Sequence, residues 1–97
     1  MTTIRWTEQA VDDLAGIREF IGRDSSAYAQ LVVARLYASV SQLREFPESG
    51  RVVPDRGEIW LRELVRPPYR IVYRRRDDLV EVLTVFHSAR PFPDSLR

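Results

Sequence analysis

The sequence predicts an α+β fold in which a helix hairpin packs on one face of a mostly antiparallel four-stranded sheet. Apolar residues recur at helical spacing through two consecutive segments of the first half. The second half contains three short runs rich in Val, Ile, Leu and Tyr, separated by proline or charged turns. With a short strand at the start, the predicted order is β-α-α-β-β-β.

The first half begins with a candidate strand, residues 3–6, and continues into two amphipathic helices. Thr7 is a suitable N-cap for the first helix, residues 8–21. Ser25 or Ser26 can cap the second helix, residues 27–45. Because the link between the helices is short, they should form an antiparallel hairpin.

The second half starts with an irregular loop, residues 46–57, marked by prolines and glycines. The predicted strands after it are residues 59–65, 69–75 and 79–88. Strand alternation places Tyr69, Ile71 and Tyr73 on one face of the sheet. It places Val80, Val82, Thr84 and Phe86 together on one face of the last strand. The face without helices should then hold Arg70, Arg74 and His87. Beyond residue 90, two prolines predict an extended tail.

Length and composition limit the kind of protein. We expect one domain, residues 1–97, since 97 residues leave no room for a second core. The chain has no cysteine, no apolar run of about 18 residues and no signal-like start, which favours a cytoplasmic protein without a membrane partner. Its lone histidine, His87, lacks companion ligands, so we expect no metal and no cofactor.

All fifteen basic residues are arginine, and ten of them lie in residues 49–97. The guanidinium fork binds phosphate or carboxylate groups through two parallel hydrogen bonds. Biased codon usage is the simpler explanation of this composition.

Arg51 lies in the irregular loop, the kind of segment that often carries function. The overall charge of +1 gives no sign of a nucleic-acid binder.

Several motifs together resemble the RelE/ParE family of bacterial type II toxins. Their sequences are D-L-x-x-I from Asp13, F-P-x-x-G-R from Phe46, R-E-L from Arg62, Y-R-I-V-Y from Tyr69, and V-x-V-L-x-V-x-H-x-x-R from Val80. The resemblance covers nearly the whole chain. It implies a small cytoplasmic toxin that a cognate antitoxin, ParD-like or similar, holds inactive.

The resemblance also implies one of two targets. ParE-like members are described as poisoning DNA gyrase, whereas RelE-like and YoeB-like members cut mRNA on the ribosome. RNA cleavage needs a base, an acid and cations for the phosphate. The chain has no lysine and no tyrosine after Tyr73, so two residue types that could supply these groups are missing. Their absence favours the ParE-like interpretation. In a ribonuclease, Arg70 and His87 would be the catalytic candidates.

The remaining candidates are contacts to a target or to the antitoxin: Arg51, Arg62, Arg74 and Arg90. Arg62 and Arg90 have the alternative of pairing with neighbouring carboxylates such as Glu63 and Asp94. An antitoxin segment should dock on a surface that carries Leu83 and Val85 beside arginines. A third interpretation is a domain that has lost toxicity and only binds its antitoxin.

Overall fold

A computed structural model describes residues 2–96. It has five strands and two α-helices in the order β1-α1-α2-β2-β3-β4-β5. Their bounds are β1 Thr3–Trp6, α1 Glu8–Gly22, α2 Ser26–Ser41, β2 Arg51–Val52, β3 Leu61–Arg66, β4 Tyr69–Arg76 and β5 Leu79–His87. Short 3₁₀ helices follow at Gln42–Arg44 and Asp94–Leu96. The predicted α+β class is confirmed.

The sheet has the strand order β1-β5-β4-β3-β2. β1 runs parallel to β5, and the other pairs are antiparallel. The prediction of four strands missed β2, whose two residues pair with Glu63 and Arg62 of β3. A strand of two residues carries too little alternation to be recognised in a sequence.

The helices begin at the predicted caps but do not both end as predicted. The Thr7 hydroxyl accepts from the Ala10 N–H at 3.2 Å, and the Ser25 hydroxyl accepts from the Tyr28 N–H at 3.1 Å. The second helix was predicted to reach residue 45. It leaves α geometry after Ser41 and continues as a 3₁₀ turn, a common way for a helix to end.

The main core lies between the helix hairpin and one face of the sheet. Tyr69, Ile71 and Tyr73 of β4 all face it, as predicted. Its other buried members are Ala10, Val32, Leu36, Val40, Leu43, Leu64, Val80, Val82 and Val85. The apolar stripes of both helices therefore serve packing.

A β-bulge in β5 changes which side chains share a face. Val72 of β4 pairs with Thr84, but the next residue, Tyr73, pairs with Val82, so Leu83 is an extra residue. One extra residue reverses the orientation of all later side chains. The prediction that one face holds Val80, Val82, Thr84 and Phe86 was therefore wrong for Phe86, which faces away from the helices.

The sheet face opposite the helices is covered, contrary to the prediction of a bare face. A second core contains Val53, Leu61, Val72 and Phe86, with Leu83, Phe92 and Leu96 packed against it. The loop after β2 and the C-terminal tail supply Val53, Phe92 and Leu96. The tail thus folds back onto the sheet, because its two apolar side chains find a partner surface there.

Close packing around Gly50 explains why the F-P-x-x-G-R motif has a glycine at this position. A Cβ atom there would lie 2.6 Å from the Glu63 carbonyl oxygen and 2.6 Å from the Tyr73 hydroxyl. The Tyr73 hydroxyl accepts from the Gly50 N–H at 3.0 Å and donates to the Pro47 carbonyl at 2.9 Å. The loop therefore approaches the core through a position that has no room for a side chain.

Neither helix has the length and apolar character needed to cross a membrane, within the described residues. Within the same residues, no group of three or more His, Asp or Glu side chains is placed to hold a metal ion.

Candidate functional site

Arg70 packs against the second core and forms ion pairs with carboxylates of the same chain. Its Nε donates to Glu63 at 2.6 Å and its Nη2 to Asp55 at 2.6 Å. The Phe86 and Phe92 rings lie 5.1 Å and 5.5 Å from its guanidinium carbon, within cation–π range. Its side chain is only 12% exposed. Its ion pairs leave little of the fork for a phosphate.

The charges around Arg70 stabilise one another. Glu63 is fully buried and also accepts from Arg51 Nε at 2.7 Å. The hydrogen bond from Arg70 lowers the pKa of Asp55, against the opposing effect of burial. Burial alone would lower the pKa of Arg70, but its bonds to the two carboxylates outweigh burial and raise it. Asp55 and Arg70 therefore stay charged near neutral pH.

Arg74 and Arg62 also make contacts within the chain. Arg74 Nη2 lies 2.6 Å from Glu81, a buried carboxylate that also pairs with Arg5. Arg62 was expected to pair with a carboxylate such as Glu63. Instead it donates to backbone carbonyls, namely those of Ile59 at 3.1 Å, Gly50 at 3.0 Å and Glu48 at 3.4 Å. Glu63 is not available to Arg62, because Arg51 and Arg70 occupy both of its oxygens.

His87 does not join Arg70, contrary to the predicted shared face. It pairs across the ladder with Tyr69, whose side chain faces the helices, and the two rings meet edge-on at 5.8 Å. Arg70 pairs with Phe86 and faces the other side. The bulge at Leu83 causes this separation, since it turns His87 toward the helix layer.

A groove of about 600 Å³ lies between α1 and the end of β5, and we call it the α1 groove. His87 and Arg90 line one side, while Asp12 and Glu19 of α1 belong to the other. His87 Nδ1 accepts from the Ala89 N–H at 3.0 Å. In the neutral ring the proton must then sit on Nε2. Arg90 is exposed, and its backbone N–H donates to the His87 carbonyl at 3.0 Å.

A second groove of about 340 Å³, the α2 groove, lies between the helices and the turn after β3. It is mostly apolar, with Tyr28 and Val32 in its wall and Arg35 and Arg66 among its polar groups. Tyr69 lines both grooves, so they meet at the start of β4. Val85, expected on a docking surface, is buried in the main core, and Leu83 packs into the second core.

Sequence reasoning did not assign the roles of three acidic residues that organise these surfaces. Glu63 and Asp55 hold Arg70. Asp13 joins α1 to β5, because one of its oxygens accepts from both the Thr84 hydroxyl and the Val85 N–H, the latter at 3.0 Å. Glu63 carried a detectable signal, since an acid within a strand must find a cation if it is buried. The other two depend on tertiary contacts.

Comparisons with known proteins agree with this architecture. Residues 4–92 match the pattern of a family described as the ParE toxin of type II toxin–antitoxin systems. The toxin RelE2 of Caulobacter vibrioides is 41% identical over 91 residues, which cover 93% of this chain and 99% of that protein. The Y4kP protein of Sinorhizobium fredii is 43% identical over 95 residues, 96% of this chain and 95% of its own.

Two solved structures share the fold. A chromosomal ParDE system from P. aeruginosa superposes with a TM-score of 0.74 at 21% identity, covering 90% of this chain and 96% of that chain. The RelBE2 toxin–antitoxin complex of Mycobacterium tuberculosis superposes with a TM-score of 0.62 at 25% identity, covering 89% and 96%. On the match over residues 4–92 and the relatives above 40% identity, this chain belongs to the ParE/RelE family of type II toxins.

Proposed function

We propose that the chain arrests growth as a ParE-like, non-catalytic toxin that binds and poisons DNA gyrase in the cytoplasm. The observation that carries this proposal is the separation of the two catalytic candidates. Arg70 is held by Glu63 and Asp55 on one side of the sheet, and His87 faces the α1 groove on the other. RNA cleavage requires its acid, base and phosphate-binding cations to converge on one scissile bond.

A purified-protein assay tests this proposal. Increasing amounts of the toxin are added to DNA gyrase and relaxed plasmid, and supercoiling and cleaved DNA are measured. We expect supercoiling to fall and gyrase-linked breaks to accumulate. Undisturbed supercoiling at saturating toxin would contradict the gyrase target. Prior addition of the cognate antitoxin provides the matched control and should restore supercoiling.

A ribosome-dependent mRNA endonuclease is the second candidate. One observation favours it: His87 is exposed and shares the α1 groove with Arg90 and Arg23, so an imidazole and two guanidinium groups line one cavity. The His87→Ala variant separates the two mechanisms. A gyrase binder should keep its growth arrest, whereas an endonuclease should lose it together with A-site cuts detected by primer extension.

A cognate antitoxin is the partner that the family implies, and the helix hairpin offers a surface that fits one. Phe20 is 68% exposed, and Tyr28 and Leu31 are also exposed large apolar side chains. α2 carries a single charged residue, Arg35, among its sixteen. Arg35 and Arg66 line the α2 groove together with Tyr28, so the positive charge there suits an acidic, amphipathic segment. A second copy of the chain would instead bring two Arg35 side chains together.

Binding by such a segment should raise the melting temperature of the toxin, because a ligand specific for the folded state stabilises it. Calorimetric titration of the antitoxin into wild type and a Phe20→Ala variant tests the docking surface. Weaker binding is expected for Phe20→Ala. Unchanged affinity would place the antitoxin elsewhere.

If overexpression without antitoxin is harmless while the antitoxin still binds, the chain is a non-toxic relic.

A further inference from the structure

Two consecutive apolar side chains in the turn before β3 are exposed to solvent. Ile59 is 75% exposed and Trp60 is 42% exposed. They were predicted to begin a strand, but they lie in the turn that precedes β3. Trp6 stacks on Tyr37 at 5.8 Å, whereas Trp60 has no ring partner within residues 2–96. Leaving an isoleucine and a tryptophan in water is unfavourable unless another surface covers them.

The turn that carries these side chains is fixed by backbone contacts. The Arg75 N–H donates to the Trp60 carbonyl at 3.0 Å, just beyond the last residue pair of the β3–β4 ladder. Arg62 binds the Ile59 carbonyl and also two carbonyls of the loop at residues 48–50. The side chains are therefore presented by an ordered backbone, which reduces the entropy lost on binding.

We call this surface the tip, defined by Glu48, Ile59, Trp60, Arg62 and Arg75. Only one of its two arginines is paired with a carboxylate within residues 2–96. Arg75 Nη1 lies 2.9 Å from the Glu48 carboxylate. Arg62 instead donates hydrogen bonds to neutral backbone carbonyl groups. A nucleic acid binds through several cations that are free to meet phosphate groups, whereas the tip has a single arginine without a carboxylate partner among the described residues. An exposed aromatic and aliphatic pair beside arginines instead favours a folded protein as the partner, because interface hot spots have this kind of composition.

The tip is also far from the grooves. Trp60 lies opposite Arg75 at one end of β4, whereas Tyr69, which lines both grooves, starts the other end. At roughly 3.3 Å per residue, the two ends of the strand are about 20 Å apart. The tip therefore stays accessible to a second protein when an antitoxin segment is bound on the helix hairpin.

We propose that Ile59 and Trp60 are the anchor through which this toxin binds its target, and that the target is a folded protein with an apolar pocket and a carboxylate at its rim. Trp60 fills the pocket, and the carboxylate at its rim pairs with Arg62, whose partners within the described residues are neutral carbonyl groups. The inference rests on the proposed function, since it names the surface that reaches the target.

Trp60→Ala and Ile59→Ala test the anchor, with Phe20→Ala as a matched exposed-apolar control on the helix hairpin. Growth arrest, gyrase inhibition, antitoxin affinity and melting temperature are measured for each. Both tip variants should weaken growth arrest by roughly tenfold or more in the dose required, with the antitoxin affinity and melting temperature of wild type. Trp60→Phe should recover part of the effect. Phe20→Ala should show the reverse pattern.

The outcomes separate the inference from the proposed function. Lost growth arrest in the tip variants, together with a wild type that leaves gyrase untouched, supports the anchor and rejects the gyrase target. Full growth arrest in both tip variants overturns the anchor, whatever the target is. Wild-type binding to a fluorescent DNA or RNA oligonucleotide that is lost in Trp60→Ala overturns the assignment of a protein partner.

Discussion

Replacing Glu63 by glutamine should destabilise this toxin far more than the loss of an exposed charge. The Glu63 side chain is fully buried and accepts from Arg51 at 2.7 Å and from Arg70 at 2.6 Å. Glutamine keeps the size of the side chain but removes the charge and one acceptor oxygen. Arg70, 12% exposed, is then left with Asp55 as its ion-pair partner.

The magnitude follows from burial. Removing one partner of a buried ion pair costs about 3–5 kcal/mol, since the other charge stays desolvated. Asp55 and the two phenylalanine rings still stabilise Arg70, which reduces the expected loss for Glu63→Gln to about 2–3 kcal/mol. A chain of this size has a total stability of about 5–15 kcal/mol. The melting temperature should therefore fall by about 10–20 °C.

Urea unfolding followed by circular dichroism measures this change. Arg51→Gln is the control, because Arg51 is 59% exposed and its loss should cost only about 0.5–1 kcal/mol. A double-mutant cycle of Glu63→Gln with Arg70→Met should give a coupling energy of about 1–3 kcal/mol. If Glu63→Gln costs no more than the control, the structural role assigned to Arg70 is wrong.

Two further predictions concern buried polar contacts. Tyr73→Phe leaves the Gly50 N–H and the Pro47 carbonyl without their partner, so urea unfolding should show a loss of about 1–3 kcal/mol. The hydrogen bond from Arg74 lowers the pKa of Glu81, so this contribution to stability is complete above its ordinary pKa of 4.5 and is lost as the pH falls through the lowered value. Melting temperatures from pH 7 to pH 2 should decline less in Glu81→Gln, and an unchanged decline would contradict that contribution.

The sequence by itself determined the helix hairpin, the order of the longer elements and the family. The hairpin and the element order follow from local rules, namely capping by Thr7 and Ser25, apolar spacing in the helices, and alternation along Tyr69, Ile71 and Tyr73, whereas the family was indicated by the resemblance of its motifs. Each rule acts within a few residues, so the sequence alone is enough to apply it.

Tertiary structure decided which functional candidates meet. A single extra residue, Leu83, turned His87 away from Arg70, and a bulge leaves no mark in a run of apolar residues. The second core depends on Phe92 and Leu96 returning to the sheet across a long stretch of chain. Only that return, together with Glu63, explains why Arg70 is held inside the fold. Long-range contacts of this kind depend on the whole chain, because the partner surface exists only after the sheet has formed.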